Sequence, residues 1–327
     1  MEMIKLTRMM KAQVIRTFGG PEVLSYEEVP VPEILDDELL VKVATTSYNP
    51  SEGAARKGAF GNLIKLVPFK ILGSDLAGIV HEVGTKVTDF QIGDRVFAYM
   101  NIRSQGTYAQ YAAVKAKDSC PVPYNMTLRE AGVLPLASLT AIQGLYELGE
   151  LKKGQRVLIN GAAGGVGSYA LQMAHIIGAY VIATGSDKSM EILQRLDPAE
   201  IVNYRTQDLY AAISEKVDLI FNLARLSETE MVRMLSLVRL GGKFVSTTGI
   251  PSQESGEKDN ITIIAENSKR GGERLREIKE LVENGALFPI ITGTFPLEAI
   301  PTVHRLAEEG ELHGKVSIIV DETLASQ

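Results

Sequence analysis

The sequence predicts an α/β protein in two parts: a β-rich, barrel-like domain, then a doubly wound parallel sheet with helices on both faces. Three observations predict it. Residues 11 to 135 hold many short apolar runs broken by Gly and Pro, as in Gly19-Gly20-Pro21 and Gly93-Asp94. After Pro135 the rhythm changes to strands alternating with helical segments, which requires a parallel sheet covered on both sides. Third, Asn160-Gly161-Ala162-Ala163-Gly164-Gly165-Val166-Gly167 follows an apolar strand, Arg156 to Ile159, and precedes Ser168 to Ile177, where Ala170, Leu171, Ala174 and Ile177 recur at helical spacing. Residues without side chains let backbone N–H groups approach a pyrophosphate, and the helix N-terminus adds its positive dipole end. The chain therefore holds a dinucleotide, a reading that the flanking strand and helix strengthen beyond the glycines alone.

The elements follow in order. Val14-Ile15, Leu39 to Val43, Gly78 to Val83 and Arg95 to Ala98 read as strands, and Val29 to Pro32 as a turn. Leu136 to Leu148 reads as a helix. Strands at Val181 to Thr184, Val217 to Asn222 and Gly242 to Thr247 alternate with helices at Met190 to Leu196 and Glu228 to Leu237. Ser252 to Asn260 is a polar surface loop. Leu275 to Glu283 is a helix stopped by Asn284-Gly285. A helix near Pro296 to Glu309 and an apolar strand, Val316 to Val320, return to the first domain. The expected boundaries are 1–134 (with 1–9 an extension, since Met10-Lys11-Ala12 reads as a natural start), 135–275 and 276–327.

Composition narrows the function. At 327 residues, two domains are expected. An apolar fraction of 45% with 23% charged residues describes an ordinary soluble globular protein. No apolar stretch reaches the roughly 18 residues of a membrane span, and residues 1–10 lack a signal-peptide core, so a cytoplasmic protein is expected. A net charge of −6 argues against nucleic acid as a partner. The single cysteine, Cys120, excludes an intramolecular disulfide and a four-cysteine zinc site; it reads as a structural thiol.

The motifs now add up. Asn49-Pro50-Ser51-Glu52, Leu72-Gly73-Ser74-Asp75-Leu76-Ala77-Gly78 through Val83-Gly84, Gly93-Asp94-Arg95-Val96, Gly106-Thr107-Tyr108-Ala109-Gln110-Tyr111, Leu139-Thr140-Ala141, Ala162 to Gly167 and Gly314-Lys315-Val316 stand in order and at family spacing. On them the chain resembles the medium-chain dehydrogenase/reductase superfamily, and within it the zinc-independent quinone oxidoreductases related to zeta-crystallin. The resemblance covers nearly all of residues 10 to 322. It implies a GroES-like, β-rich catalytic domain interrupted by a Rossmann domain, an active cleft between them with the nicotinamide at its base, and a possible homodimer.

Departures from relatives carry equal weight. Zinc alcohol dehydrogenases of the superfamily hold their metal with Cys, His and Cys; here Tyr48 or Asn49, Ser74 and Leu136 stand near those places, and none is such a ligand. His81, His175, His304 and His313 all have ordinary structural readings, so no metal is expected. Enoyl-thioester reductases carry a Tyr proton donor about eleven residues after the Asn; this chain has Phe60. Quinone reductases often line the pocket with a Tyr after Asn-Pro; this chain has Ala54, implying a more open pocket.

For the coenzyme, the place of the acidic residue common in NAD enzymes, roughly 20 residues past the glycines, is taken by Ser186. A hydroxyl leaves room for a 2′-phosphate, with Lys188 supplying charge. Tyr204-Arg205 resembles the family's Asn-Tyr-Arg segment, whose Tyr contacts that phosphate. Asp187 opposes this if it points inward, and Lys188 and Arg205 have the alternative of solvated surface charges. NADPH is expected ahead of NADH. Thr140, Ala163, Gly164, Gly165, Val166, Gly167, Ser186, Lys188, Tyr204, Asn222 and Gly249 form the expected coenzyme site, the last two as strand-end positions facing the ligand crevice.

Quinones are already electrophilic, and their reduced oxygens can take protons from water, so no dedicated acid or base is demanded. Tyr48, Asn49, Ala54 and Phe60 are the candidate pocket residues beside Thr140. Asn49 either donates to an acceptor oxygen, fixes the coenzyme, or caps the turn before Pro50. Tyr48 either donates a proton or packs; Tyr108 and Tyr111 read as core. The expected activity is NADPH-dependent hydride transfer to a quinone or conjugated carbonyl without metal. The alternatives are an alkenal or enone reductase with Tyr48 or water as proton source, and a nucleotide-binding sensor or scaffold with little turnover.

Overall fold

The structure, a computed structural model, describes residues 8–269 and 271–327. In chain order the elements are β1 (Met9–Ile15), β2 (Ser25–Pro30), β3 (Glu38–Ser47), α1 (Pro50–Arg56), β4 (Lys70–Ile71), β5 (Asp75–Val83), β6 (Arg95–Tyr99), β7 (Tyr111–Lys115), β8 (Ser119–Pro121), α2 (Leu128–Ala131), α3 (Pro135–Ile142), β9 (Arg156–Asn160), α4 (Gly165–Ile177), β10 (Tyr180–Gly185), α5 (Met190–Leu196), β11 (Glu200–Asn203), α6 (Leu209–Ala212), β12 (Val217–Asn222), α7 (Glu228–Leu235), β13 (Val238–Ser246), β14 (Thr262–Ala265), α8 (Gly272–Glu283), β15 (Ile291–Pro296), α9 (Ile300–Glu308), β16 (Lys315–Ile319) and α10 (Glu322–Ala325). The described residues fall into two compact units, 8–136 with 271–284 and 291–327, and 137–269 with 285–290. None of the described helices is long and apolar enough to cross a membrane.

In the first unit, β3 is the central strand. Leu39, Leu40, Val41, Val43 and Ala44 are all buried, as a strand covered on both faces requires. It pairs antiparallel with β5, β7 and β16. The seven-stranded sheet runs β15-β16-β3-β5-β6-β8 with β7 added on β3, beside a three-stranded sheet β2-β1-β4. The returning strand β16 joins residues 315–319 to the N-terminal part through pairs such as Ile318 with Thr46. Cys120 is fully buried in β8, and burial pushes its thiol up to about 12.

Several sequence expectations shift here. Val29 and Pro30, read as a turn, close β2 opposite Met10 and Met9. Proline is tolerated because β2 is an edge strand. Met9 opens β1, and Arg8 bonds His81 Nε2 at 2.7 Å, so these two belong to the fold rather than to an extension; residues 1–7 lie outside the described residues. The expected boundary at 275 falls inside α8. That helix groups with the first unit and packs on β8, where a Cβ on Gly272 would lie 2.6 Å from the Ser119 carbonyl. Tyr108 is fully buried, but Tyr111 is only half-buried under the Arg8 guanidinium, 4.2 Å from its ring centre.

The second unit is a six-stranded, wholly parallel sheet in the order β11-β10-β9-β12-β13-β14. α4 buries Ala170, Leu171 and Ala174 and stops at Gly178, whose φ of +81° favours glycine. The helix expected from 136 to 148 is α3 followed by a π-helical turn, Gln143–Leu148. Gly144 sits so near the Phe221 ring that a Cβ would lie 2.3 Å from it, and the Gly149 N–H reaches back five residues to its carbonyl. Ser252 to Asn260, read as a loop, winds as a 3-10 helix over Gln253–Asp259, ended by Asn260 at φ +49°.

One buried cluster ties α1 to α9. The fully buried Arg56 donates from Nε to His304 Nδ1 at 3.2 Å, from Nη1 to the Gly19 carbonyl at 2.5 Å, and pairs with Glu308. Burial, helped by the Arg56 charge, drives His304 down to about 3, so its ring is neutral. Arg56→Ala leaves these partners unsatisfied and is expected to lower the unfolding free energy by about 3 kcal/mol in urea titrations.

Candidate functional site

The strand order of the second unit reverses between β9 and β12, and the crevice beyond such a reversal is where parallel sheets take ligands. Asn160 and Asn222, the last residues of these strands, are register partners. Asn160 Nδ2 donates to Asn222 Oδ1 at 2.8 Å. Thr184 Oγ1, at the end of β10, donates to Asn160 Oδ1 at 2.7 Å and accepts the Gly161 N–H at 3.0 Å. Asn222 Nδ2 reaches Ser246 Oγ at 3.0 Å, Ala224 O at 3.0 Å and Thr248 Oγ1 at 3.2 Å. The result is a buried polar ladder across four strand ends. Asn222 is thus fully buried, its amide bonded to protein neighbours.

The glycine turn rests on this ladder. Gly161 has φ +87°, and Gly164 is the N-cap of α4. A Cβ on Gly167 would stand 2.4 Å from the Gly161 carbonyl, so only glycine lets the helix start this close to the strand end. The first-turn amides of Gly165, Val166 and Gly167 have no partner within the helix, and with its dipole they form an anion-receiving end. Ala163 is buried against the turn.

The structure brings Ser186 and Tyr204 to neighbouring strand ends: Gly185 and Asn203 are register partners, and the Tyr204 N–H donates to the Gly185 carbonyl at 3.1 Å. Tyr204 is 54% exposed, and Lys188 and Arg205 are exposed too. Gly249, past β13, has φ +136° and faces solvent. Thr140 on α3 bonds Ser268, whose hydroxyl donates to Glu266 Oε1 at 3.1 Å. Burial, reinforced by the charge of Glu147, pushes the Glu266 carboxyl up to about 7.

In the first unit Asn49 is the N-cap of α1, where the Glu52 carboxylate accepts its backbone N–H. Its side chain turns inward. Oδ1 accepts from Lys315 Nζ at 2.5 Å; Nδ2 donates to Asp75 Oδ2 at 3.0 Å and Glu52 Oε1 at 3.2 Å. Lys315 Nζ also lies 2.9 Å from Asp75 Oδ2, and both side chains are almost wholly buried. Asp75 further accepts from Ser47 Oγ at 2.5 Å and from the Leu136 N–H at 2.7 Å. Burial first, then the Asp75 charge, raises the Glu52 carboxyl to about 7. The Asn49 amide is thus engaged inside the protein by Lys315, Asp75 and Glu52. The Tyr48 ring packs edge-on to His304 with centres 4.9 Å apart; Ala54 is half-buried on α1, and Phe60 packs partly buried on the same core.

Sequence reasoning gave no site role to Lys315, Asp75 and Glu52, nor to Asn160, Thr184 and Ser246. The available signals were the motifs in which Glu52, Asp75, Lys315 and Asn160 stand, and polar residues at the ends of otherwise apolar strands.

Glu266 supplies a pH test. Its folded value, about 7, lies above the ordinary carboxylate value of 4.5, and the two bound a pH window. The folded state therefore holds the extra proton, and this stabilisation is complete below that window, declines as pH rises through it and is gone above it. Unfolding free energies from urea titrations are expected to fall between about pH 4.5 and about pH 7, and Glu266→Gln to remove on the order of 2 kcal/mol of that fall.

Comparison with known proteins places this geometry. Residues 35–124 match the alcohol dehydrogenase GroES-like domain family and residues 196–318 the zinc-binding dehydrogenase family. The chain is 31% identical over 320 residues to the chloroplastic NADPH-dependent alkenal/one oxidoreductase of Arabidopsis thaliana, spanning 94% of this chain and 79% of that protein. It is 30% identical over 327 residues to the quinone oxidoreductase of Mus musculus, spanning 94% and 95% respectively. The solved quinone oxidoreductase from Coxiella burnetii superposes with a TM-score of 0.88 at 30% identity, over 96% of this chain and 100% of that one. With its GroES-like first unit and Rossmann second unit, the chain is an oxidoreductase belonging to the quinone oxidoreductase-like family of the medium-chain dehydrogenase/reductase superfamily.

Proposed function

We propose that the protein is an NADPH-dependent oxidoreductase that reduces a quinone or a conjugated carbonyl without a metal. The observation that carries the reading is the chemistry at Asn49. The positions where relatives hold zinc offer Tyr48 or Asn49, Ser74 and Leu136, and the Asn49 carbonyl oxygen is bound to the ammonium of Lys315. This donor set does not fit zinc, which takes thiolate, imidazole or carboxylate. Acceptors that need no Lewis acid fit such a site.

The residues present do fit a dinucleotide. Gly167 lets α4 start against the strand end, and the first-turn amides of Gly165, Val166 and Gly167, with Ala163 and Gly164, would cradle the pyrophosphate. Ser186, Lys188 and Tyr204 would hold the 2′-phosphate, a hydroxyl rather than a carboxylate closing the space after β10. Thr140, Gly249 and the Asn222 ladder would frame the nicotinamide end. When bound, NADPH supplies the hydride. Lys315 and Asp75, through Asn49, fix the segment bearing Tyr48, and Tyr48, Ala54 and Phe60 of the first unit would line the acceptor pocket. The reading includes a cytoplasmic setting, to which a lone buried thiol is suited, and a homodimer by analogy with the family.

Within this reading an alkenal or enone needs a proton on carbon, and the Arabidopsis relative's name keeps that substrate class in view. The test is NADPH and NADH oxidation with a quinone panel beside an alkenal panel, before and after chelator treatment. NADPH oxidation that survives the chelator is expected; stoichiometric zinc, or no turnover on either panel, overturns the reading. If Tyr48 supplies the proton, Tyr48→Phe lowers alkenal reduction by roughly a hundredfold and spares quinone reduction. Equal rates assign that proton to water.

A further inference from the structure

The sequence leaves Asp187 as an unresolved opponent of NADPH. It follows Ser186 directly, and a carboxylate turned toward a 2′-phosphate would repel it. The structure gives that carboxylate a fixed partner. Asn203, the last residue of β11, donates from Nδ2 to Asp187 Oδ1 at 2.6 Å. Asn203 is itself held at two other points: its Oδ1 accepts the Arg205 N–H at 3.0 Å, and its own N–H donates to Gln207 Oε1 at 2.8 Å. Flipping the amide would lose the Arg205 bond and set oxygen against the carboxylate, so Nδ2 stays aimed at Asp187. Asn203 points inward, only 8% exposed, whereas its neighbour Tyr204 points out. Asp187 remains exposed to solvent, but its carboxylate is tethered to the inward side. The turn beneath it is fixed as well: Ser189 Oγ accepts the Ser186 N–H at 2.8 Å and donates to the Ser186 carbonyl at 2.9 Å.

We propose that Asn203 is a specificity-determining residue of the coenzyme site: by tethering Asp187 it keeps that carboxylate off the 2′-phosphate, so that NADPH is accepted beside an acidic side chain. The inference rests on the NADPH reading above. It differs from that reading in naming a residue that touches no coenzyme atom and acts only through Asp187.

The test is a double-mutant cycle on binding, with no turnover required. Dissociation constants for NADPH and NADH are measured by nucleotide fluorescence at low salt for wild type, Asn203→Ala, Asp187→Ala and the double variant. Asn203→Ala is expected to lower the preference for NADPH roughly five- to tenfold, and less as salt is raised. Asp187→Ala keeps or raises the preference, and in its background Asn203→Ala has no further effect. An unchanged preference in Asn203→Ala, or an equal loss with Asp187 absent, overturns the proposal. If Asn203→Ala does not fold, Asn203→Ser, whose hydroxyl is too short to reach Asp187, takes its place with the same expectation. Tighter binding of NADH than of NADPH by the wild type overturns the coenzyme reading instead; that outcome is read from the wild type alone, whereas the tether is read from differences between variants.

Discussion

The buried pair of Lys315 and Asp75 is the constraint on which the first unit depends. It lies in the interior, where a lone charge would be far costlier than the pair. Satisfying it recruits parts of the chain remote in sequence: Ser47 at the end of β3, Asn49 at the head of α1, the Leu136 amide at the head of α3, and Lys315 on the strand that returns last. Each contributes a donor or acceptor that the others need. The turn bearing Tyr48 is therefore set by electrostatics as much as by packing.

The second unit solves a different problem with neutral groups. A parallel sheet ends in a row of strand termini, and the reversal of strand order leaves a gap where backbone groups could be left without partners. The Thr184-Asn160-Asn222-Ser246 ladder fills it with amides and hydroxyls whose hydrogen bonds run from strand to strand. The ladder also holds the Gly161 amide, so the shape of the glycine turn is fixed from below.

Much of this was legible in the sequence, for identifiable reasons. The helix Met190–Leu196 and the strand Val217–Asn222 were read to the residue, because their apolar spacing is strong and their ends are marked. β2, β4, β7, β8, β11, β14 and β15 were missed. They are short, and β2 carries Pro30 at a place only an edge strand allows. The glycine turn could be read because its function demands missing side chains, which a sequence displays directly. The Asn49 and Asn203 contacts could not. An asparagine at a turn looks the same whether its amide faces solvent or a buried carboxylate, and the partners Asp75, Lys315 and Asp187 are brought near by strand pairing. The split of the chain at α8 was hidden similarly, since the close approach of Gly272 to β8 leaves no mark in local spacing.

The hidden thiol of Cys120 has a bearing on durability. Quinones and alkenals are soft electrophiles to which thiolates add in conjugate fashion, and a protein proposed to meet them continually risks being modified by its own substrates. Its sole cysteine lies fully covered in β8 and is held protonated far above neutral pH. The chain thus offers such compounds no exposed thiol, and self-inactivation by thiolate addition is closed.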